Sequence, residues 1–184
     1  MKIEFDQLKS VVQTICVLSM VAGSSGIHAA PSSDEAIFDP ILEVDLRHDG
    51  QRASREHKHL MIMFVKDGCS PCLQMKRDVL PDPDIQAFFR QRFIAYNINI
   101  FGDLPIVDGD GAEFTEKRYA KRENIWGTPT FYFYGKNGQV VFKHTGALSK
   151  EKFLALGEFV ASKEYLRQRR FKAPGTTKKT SIIE

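Results

Sequence analysis

The chain has 184 residues, 42% hydrophobic and 27% charged, with a formal net charge of +3. That length supports one well-buried domain and is too short for two of ordinary size. So small a net charge gives no argument for a nucleic-acid partner, and the composition is that of a soluble globular protein.

The first thirty residues read differently from the rest. Lys2 and Lys9 precede the apolar run VVQTICVLSMVAG, which is far shorter than the roughly 20 residues a membrane span needs. Small residues follow in SSGIHAAPSS. A basic start, a short apolar core and a small-residue cut site make a secretory signal peptide, residues 1–29, cleaved after Ala29. The rival is an uncleaved amphipathic or membrane-anchoring helix. Cys16 leaves with the leader, so the mature chain keeps two cysteines, Cys69 and Cys72, in a compartment where disulfides persist.

Residues 41–46 (ILEVDL) predict a first strand, with a turn at Asp49-Gly50 and a short helix over QRASREHK. HLMIMFV, residues 59–65, is a continuous apolar run of the kind a strand buried on both faces shows. Cys69 follows after a short loop and opens a helix to about Leu80, with Pro71 in its first turn, where proline is accepted. PDPD interrupts that helix, and Asp84 is expected to cap a second one through Arg92. FIAYNINI (93–100) is the next strand, residues 101–114 read as a loop, and Thr115 caps a helix over EKRYAKREN. TPTFYFY and QVVFKHT flank GKNG, whose Asn137-Gly138 is a hairpin signal. Ser149 caps a final helix with Phe153, Leu156 and Val160 at core-facing spacing. The predicted fold is α/β over residues 30–162: a central mixed β-sheet flanked by helices on both faces, with the cysteines at the carboxyl end of a central strand. Residues 163–184 form a basic extension, partly disordered, with a solvated role expected ahead of docking to an acidic membrane or partner.

KDGCSPCLQM sets the two cysteines three positions apart. Zinc wants more ligands than two thiolates supply, and His57 and His59 lie at the far end of the strand, so no metal site is predicted. Covalent haem needs His after the second cysteine, and Leu73 stands there. So small a loop is also a poor staple. Thiol–disulfide exchange fits: Cys69 at a helix N-terminus, exposed and easily ionised, with Cys72 one turn on and shielded. Thiolate stabilisation makes such a pair more oxidising. Far along the chain, Thr128-Pro129 precedes a strand, where a cis bond would make a tight turn and expose the Thr128 backbone to an extended substrate. DGDG at 108–111 lacks the remaining ligands of a calcium loop and reads as a turn. Trp126 is expected at the site rim, with peptide binding as its candidate role.

Cys-Ser-Pro-Cys at a strand–helix junction, with Thr-Pro-Thr before a hairpin, resembles the thioredoxin fold over residues 41–162. VLPDPDIQAFFRQRFIAYNINIFGD, DGDGAEFTEKRYAKRENIWGTPTF and FLALGEFVASKEYL resemble the periplasmic SoxW-type thioredoxins. That resemblance implies Cys69 as nucleophile, Cys72 as resolver, Pro129 as cis-proline and Thr128 as its substrate-pairing neighbour. Ser70 and Pro71, between the cysteines, tune the potential and flank the substrate. It also implies a membrane thiol-transporting reductase as electron donor, disulfide-bearing proteins as substrates, a monomer, and no cofactor. Two positions depart from cytoplasmic thioredoxins. Gly68 replaces the tryptophan before the first cysteine, and Met63 replaces a buried acid, leaving the proton acceptor for Cys72 unassigned. Lys66 and Asp67 read as solvent-facing. The expected activity is periplasmic reduction of protein disulfides. Its rivals are a disulfide-introducing oxidase or isomerase, and a non-catalytic chaperone or binding module on the same scaffold.

Overall fold

The computed structural model describes residues 37–168 and 170–174. The signal-peptide reading, with Cys16, lies outside them, as do residues 175–184. Strand β2 (His59–Val65) organises the rest because Leu60 to Phe64 are all fully buried. Each such side chain contributes about 1.5–3 kcal/mol of apolar burial, so this run sits at the centre of whatever sheet it joins.

That sheet has four strands in the order β3-β2-β6-β7, where β3 is Phe93–Asn99, β6 is Thr130–Tyr134 and β7 is Val140–Thr145. β2 runs parallel to β3 and antiparallel to β6, with Met63 between Asn97 on one side and Phe131 on the other. The β2–β3 crossover passes through α2 (Ser70–Asp78) and α3 (Pro83–Arg92). Side chains of β2 alternate between two cores. Leu60, Ile62 and Phe64 pack with Leu46, Ala53, Tyr119 and Ala120 of α1 (Leu46–Arg55) and α4 (Glu116–Arg122). Met61 and Met63 pack with Met75, Ile85 and Phe89, and with Phe153, Leu156 and Val160 of α5 (Lys150–Ala161). Helices therefore cover both faces, as the element order predicts. Phe89 and Phe153 stack at 4.3 Å between ring centroids, which locks α5 to α3.

Four expectations need correction. The first strand is only Val44–Asp45 (β1), and a helix, not a turn, covers Asp49-Gly50. The Asp45 side chain accepts from His48 N and starts the helix five residues early. Gly50 stays inside it because a Cβ there would lie 2.6 Å from Gly135 O, so the helix approaches the β6–β7 turn only without a side chain. Asp82 rather than Asp84 caps α3, accepting from Asp84 N and Ile85 N with Pro83 opening the helix. The expected loop at 101–114 contains β4 (Pro105–Val107) and leads into β5 (Glu113–Thr115), which with β1 make a second, three-stranded sheet. Strands of three residues are too short to show a period. Finally, Thr115 holds the N-cap position of α4 without a capping hydrogen bond, and its Oγ1 is buried without a partner.

The GKNG hairpin forms, but Gly138, not Asn137, takes the positive φ, at 76°. DGDG is a turn. The buried Asp108 carboxylate accepts from Asp110 N and Ala112 N and pairs with Arg122. Burial pushes its pKa up, and the Arg122 guanidinium with the two amides outweighs that, leaving it below the usual carboxylate range. Past α5 the chain continues to pack: Tyr165 and Phe171 join the second core, with Phe171 against Phe159 at 5.5 Å and His144 at 6.2 Å.

Candidate active site

The parallel β2–β3 pair ends, and the antiparallel β6 begins, at one edge of the sheet. Three connections therefore meet there: residues 66–69 after β2, residues 100–104 after β3, and residues 126–129 before β6. Lys66 and Asp67 are exposed, and Gly68 takes φ +69°, a left-handed conformation that suits glycine. This turn brings Cys69 to the N-cap of α2, where its Sγ accepts from Cys72 N at 3.2 Å. Pro71 sits in the first turn, and Ser70 and Pro71 are exposed between the cysteines.

Cys69 and Cys72 form a disulfide, with S–S 2.10 Å and Cα–Cα 5.3 Å. The Thr128–Pro129 bond is cis. It places the Thr128 hydroxyl 3.2 Å from Cys69 Sγ as a donor, and the Thr128 carbonyl oxygen 3.4 Å from the same atom. This segment is tied down on both sides. Gly146 N donates to Pro129 O at 2.9 Å, and Thr130 Oγ1 donates to Gly127 O at 2.7 Å.

One expectation does not hold for the bonded pair. Cys69 and Cys72 are each only 3% exposed, so Cys69 is no more open than Cys72 in this form. The cause is local, since both polar groups of Thr128 lie against Cys69 Sγ. The converging segments expose large apolar side chains beside polar ones such as Lys66, Asp67 and Ser70. Trp126 is 78% exposed, Phe101 68% and Leu73 58%, and each lies on or beside one of the converging segments. The structure thus brings Cys69, Cys72, Thr128, Pro129, Ser70 and Pro71 to one place, with Trp126 on the segment that leads to it. His57 and His59 stay at the opposite end of β2.

No carboxylate stands where an acid was missing from the sequence: Met63 is fully buried between Asn97 and Phe131. The nearest acid in the chain, Asp67, is exposed and accepts from Asn99 Nδ2 at 3.5 Å. Glu116 is buried behind the 99–104 connection, accepting from Asn99 N at 3.1 Å and Leu104 N at 3.3 Å. Burial pushes its pKa above the usual range despite those two donors. Among the described residues, no group of three or more His, Cys, Asp or Glu is placed to hold a metal ion.

A thioredoxin-like domain model matches residues 46–161, more than half of the chain. The chain belongs to the thioredoxin-like family. Among solved structures, a thioredoxin-fold protein from Helicobacter pylori is similar at 22% identity and TM-score 0.57, over 72% of this chain and 81% of that one. A thioredoxin from Thermus thermophilus matches at 23% identity and TM-score 0.49, over 67% and 90%. The C-terminal domain of Neisseria meningitidis DsbD, in its reduced form, matches at 19% identity and TM-score 0.45, over 61% and 91%. The likeness to the Helicobacter pylori protein, at 22% identity, shows the fold alone. No curated protein sequence matches.

Two features of this thioredoxin-like site escape the sequence reading. The Thr128 hydroxyl acts on Cys69 directly, where the sequence assigns Thr128 a role through its backbone. Asn97 is half-buried on the strand beside Met63 with its Oδ1 atom buried, and its only sequence signal is a polar residue within FIAYNINI.

Proposed function

We propose that the protein is an exported thiol–disulfide oxidoreductase that reduces protein disulfides in the periplasm. The observation that carries this reading is the surroundings of Cys69 Sγ. A helix N-terminal amide and the Thr128 hydroxyl both donate to it, each at 3.2 Å. Two donors aimed at one sulfur favour its thiolate, which is the nucleophile in exchange.

In the dithiol form, the Cys69 thiolate attacks one sulfur of a substrate disulfide. That S–S bond breaks, a mixed disulfide forms, and the first substrate sulfur leaves and takes a proton. Cys72 then attacks Cys69 Sγ, the second substrate sulfur leaves, and the Cys69–Cys72 disulfide closes. Two electrons have moved from enzyme to substrate, carried by sulfur alone, so the chemistry needs no organic cofactor or metal. The apolar rim of Trp126, Phe101 and Leu73 supports docking of an unfolded or extended polypeptide, with the Thr128 backbone beside cis-Pro129 pairing to it. Resetting the pair takes two electrons from a dithiol donor, for which a membrane thiol-transporting reductase is the proposed partner. The sequence stretches that resemble SoxW-type thioredoxins support this assignment and the periplasmic location. The chain acts as a monomer.

The test is insulin reduction by residues 30–184 with a dithiol donor. Turnover that disappears in Cys69→Ser supports the reading. Turnover no faster than the donor alone refutes it.

A further inference from the structure

Inward and outward residues alternate along β3. Ile94, Tyr96 and Ile98 belong to the core under α1 and α4, whereas Phe93 and Ala95 belong to the core under α2, α3 and α5. By that alternation Asn97 faces the α2 side, paired in register with Met63. It lies one step beyond Ala95 toward the sheet edge that carries the disulfide, and the inward residues of α2 on this face are Cys72 and Met75. Beside it, Met63 and Phe131 are fully buried and apolar.

In this setting the Asn97 Oδ1 atom is buried and has no hydrogen-bond partner. A buried carbonyl oxygen without a donor is a destabilising feature that folded proteins rarely keep. An apolar residue would fill the same site without that cost. The oxygen therefore makes sense if a donor arrives in another state of the molecule. The bonded pair has no S–H. Reduction creates one on Cys72, the inner cysteine of the pair.

We infer that Asn97 Oδ1 accepts the Cys72 S–H in the dithiol form, directly or through one water, and holds the resolving thiol oriented and neutral. Reduction adds two electrons and two protons to the pair, and one of those protons lies between Cys72 Sγ and Asn97. When Cys72 attacks the mixed disulfide, the bond between Cys69 Sγ and the substrate sulfur breaks. The departing substrate thiolate takes up the proton that Cys72 releases. The amide accepts a hydrogen bond throughout and never a proton, so Asn97 is a positioning residue. This deepens the oxidoreductase reading and rests on it.

The experiment compares Asn97→Val with Asn97→Thr, a near-isosteric pair that differs in one oxygen. Each is equilibrated with glutathione and glutathione disulfide, and its thiols are counted. Losing the acceptor leaves the dithiol without its hydrogen bond and relieves the disulfide of its orphan oxygen. Asn97→Val should therefore shift the equilibrium toward the disulfide about tenfold, which is about 30 mV more reducing. Asn97→Thr should stay within about threefold of the parent. Melting should agree, with the valine chain gaining stability in the disulfide form relative to the dithiol form. Asn97→Leu serves if the valine chain does not fold. An equilibrium constant for the acceptor-free variant within about twofold of the parent overturns the inference. If the parent still reduces insulin in that case, the oxidoreductase reading survives alone; a parent that never exchanges with glutathione overturns both.

Discussion

Replacing Thr128 by valine removes one donor from Cys69 Sγ and leaves the volume almost unchanged. The hydroxyl lies 3.2 Å from that sulfur, a close distance for a sulfur acceptor, and Cys72 N remains as the other donor. A hydrogen bond to a charged group is worth about 1.5–3 kcal/mol, against less for a neutral one. About 1.4 kcal/mol is a factor of ten, so the difference lowers the acid dissociation constant of the Cys69 thiol by up to roughly a hundredfold. The sign follows from which form loses the bond: the anion is destabilised, and ionisation moves to higher pH. The assay is the rate of iodoacetamide alkylation against pH, in a Cys72→Ser background so that one thiol reacts. Thr128→Ser, which keeps the hydroxyl, should stay close to the parent. An alkylation profile for Thr128→Val that overlays the parent's would refute the claim that this hydroxyl acts on the thiolate.

Three further outcomes follow from the packing and the buried acid. Phe153→Ala, which empties a fully buried site stacked on Phe89, should cost about 3–5 kcal/mol in guanidinium unfolding. Gly50→Ala should destabilise the fold by about 1–3 kcal/mol, since its Cβ would meet Gly135 O at 2.6 Å, and the melting temperature reads it. Glu116 has a folded-state pKa above its unfolded value because burial disfavours the charged form. Its contribution to stability is therefore fullest below the ordinary carboxylate range and is lost as pH rises through the folded pKa. The stability of the parent relative to Glu116→Gln should accordingly decline as pH rises from about 4 to neutrality, and a flat difference across chemical denaturation curves would contradict this.

Most of the architecture is legible because a few segments carry unambiguous patterns. HLMIMFV must be buried on both faces, and the Asn-Gly turn after TPTFYFY must return the chain, so the central strand and the hairpin follow from local chemistry. The helix over Leu46–Arg55 is not legible in the same way. Its Asp-Gly pair has the chemistry of a turn, and only the tertiary approach to Gly135 explains a glycine inside a helix. The second sheet escapes for another reason: its strands of two or three residues are too short to show a period, and β1 pairs with the distant β4 only after folding. At the site, Cys-Ser-Pro-Cys and Thr-Pro are local signals and are found by reading. Asn97 depends on the pairing of β3 with β2, which no single segment encodes. The covering of Cys69 likewise depends on Thr128, fifty-nine residues away from it in the chain, whereas Cys72 is buried on the inward side of α2.

The central claim is that Cys69 is the sulfur that attacks. It is tested most directly by mixing the Cys72→Ser form of residues 30–184, a chain with Cys69 as its one thiol, with an excess of glutathione disulfide. Mass spectrometry then follows the adduct over time. The account predicts stoichiometric glutathione attached at Cys69 at neutral pH, formed faster than on an unstructured cysteine peptide. An adduct that forms no faster than on that peptide, or only after the chain is unfolded, would contradict it.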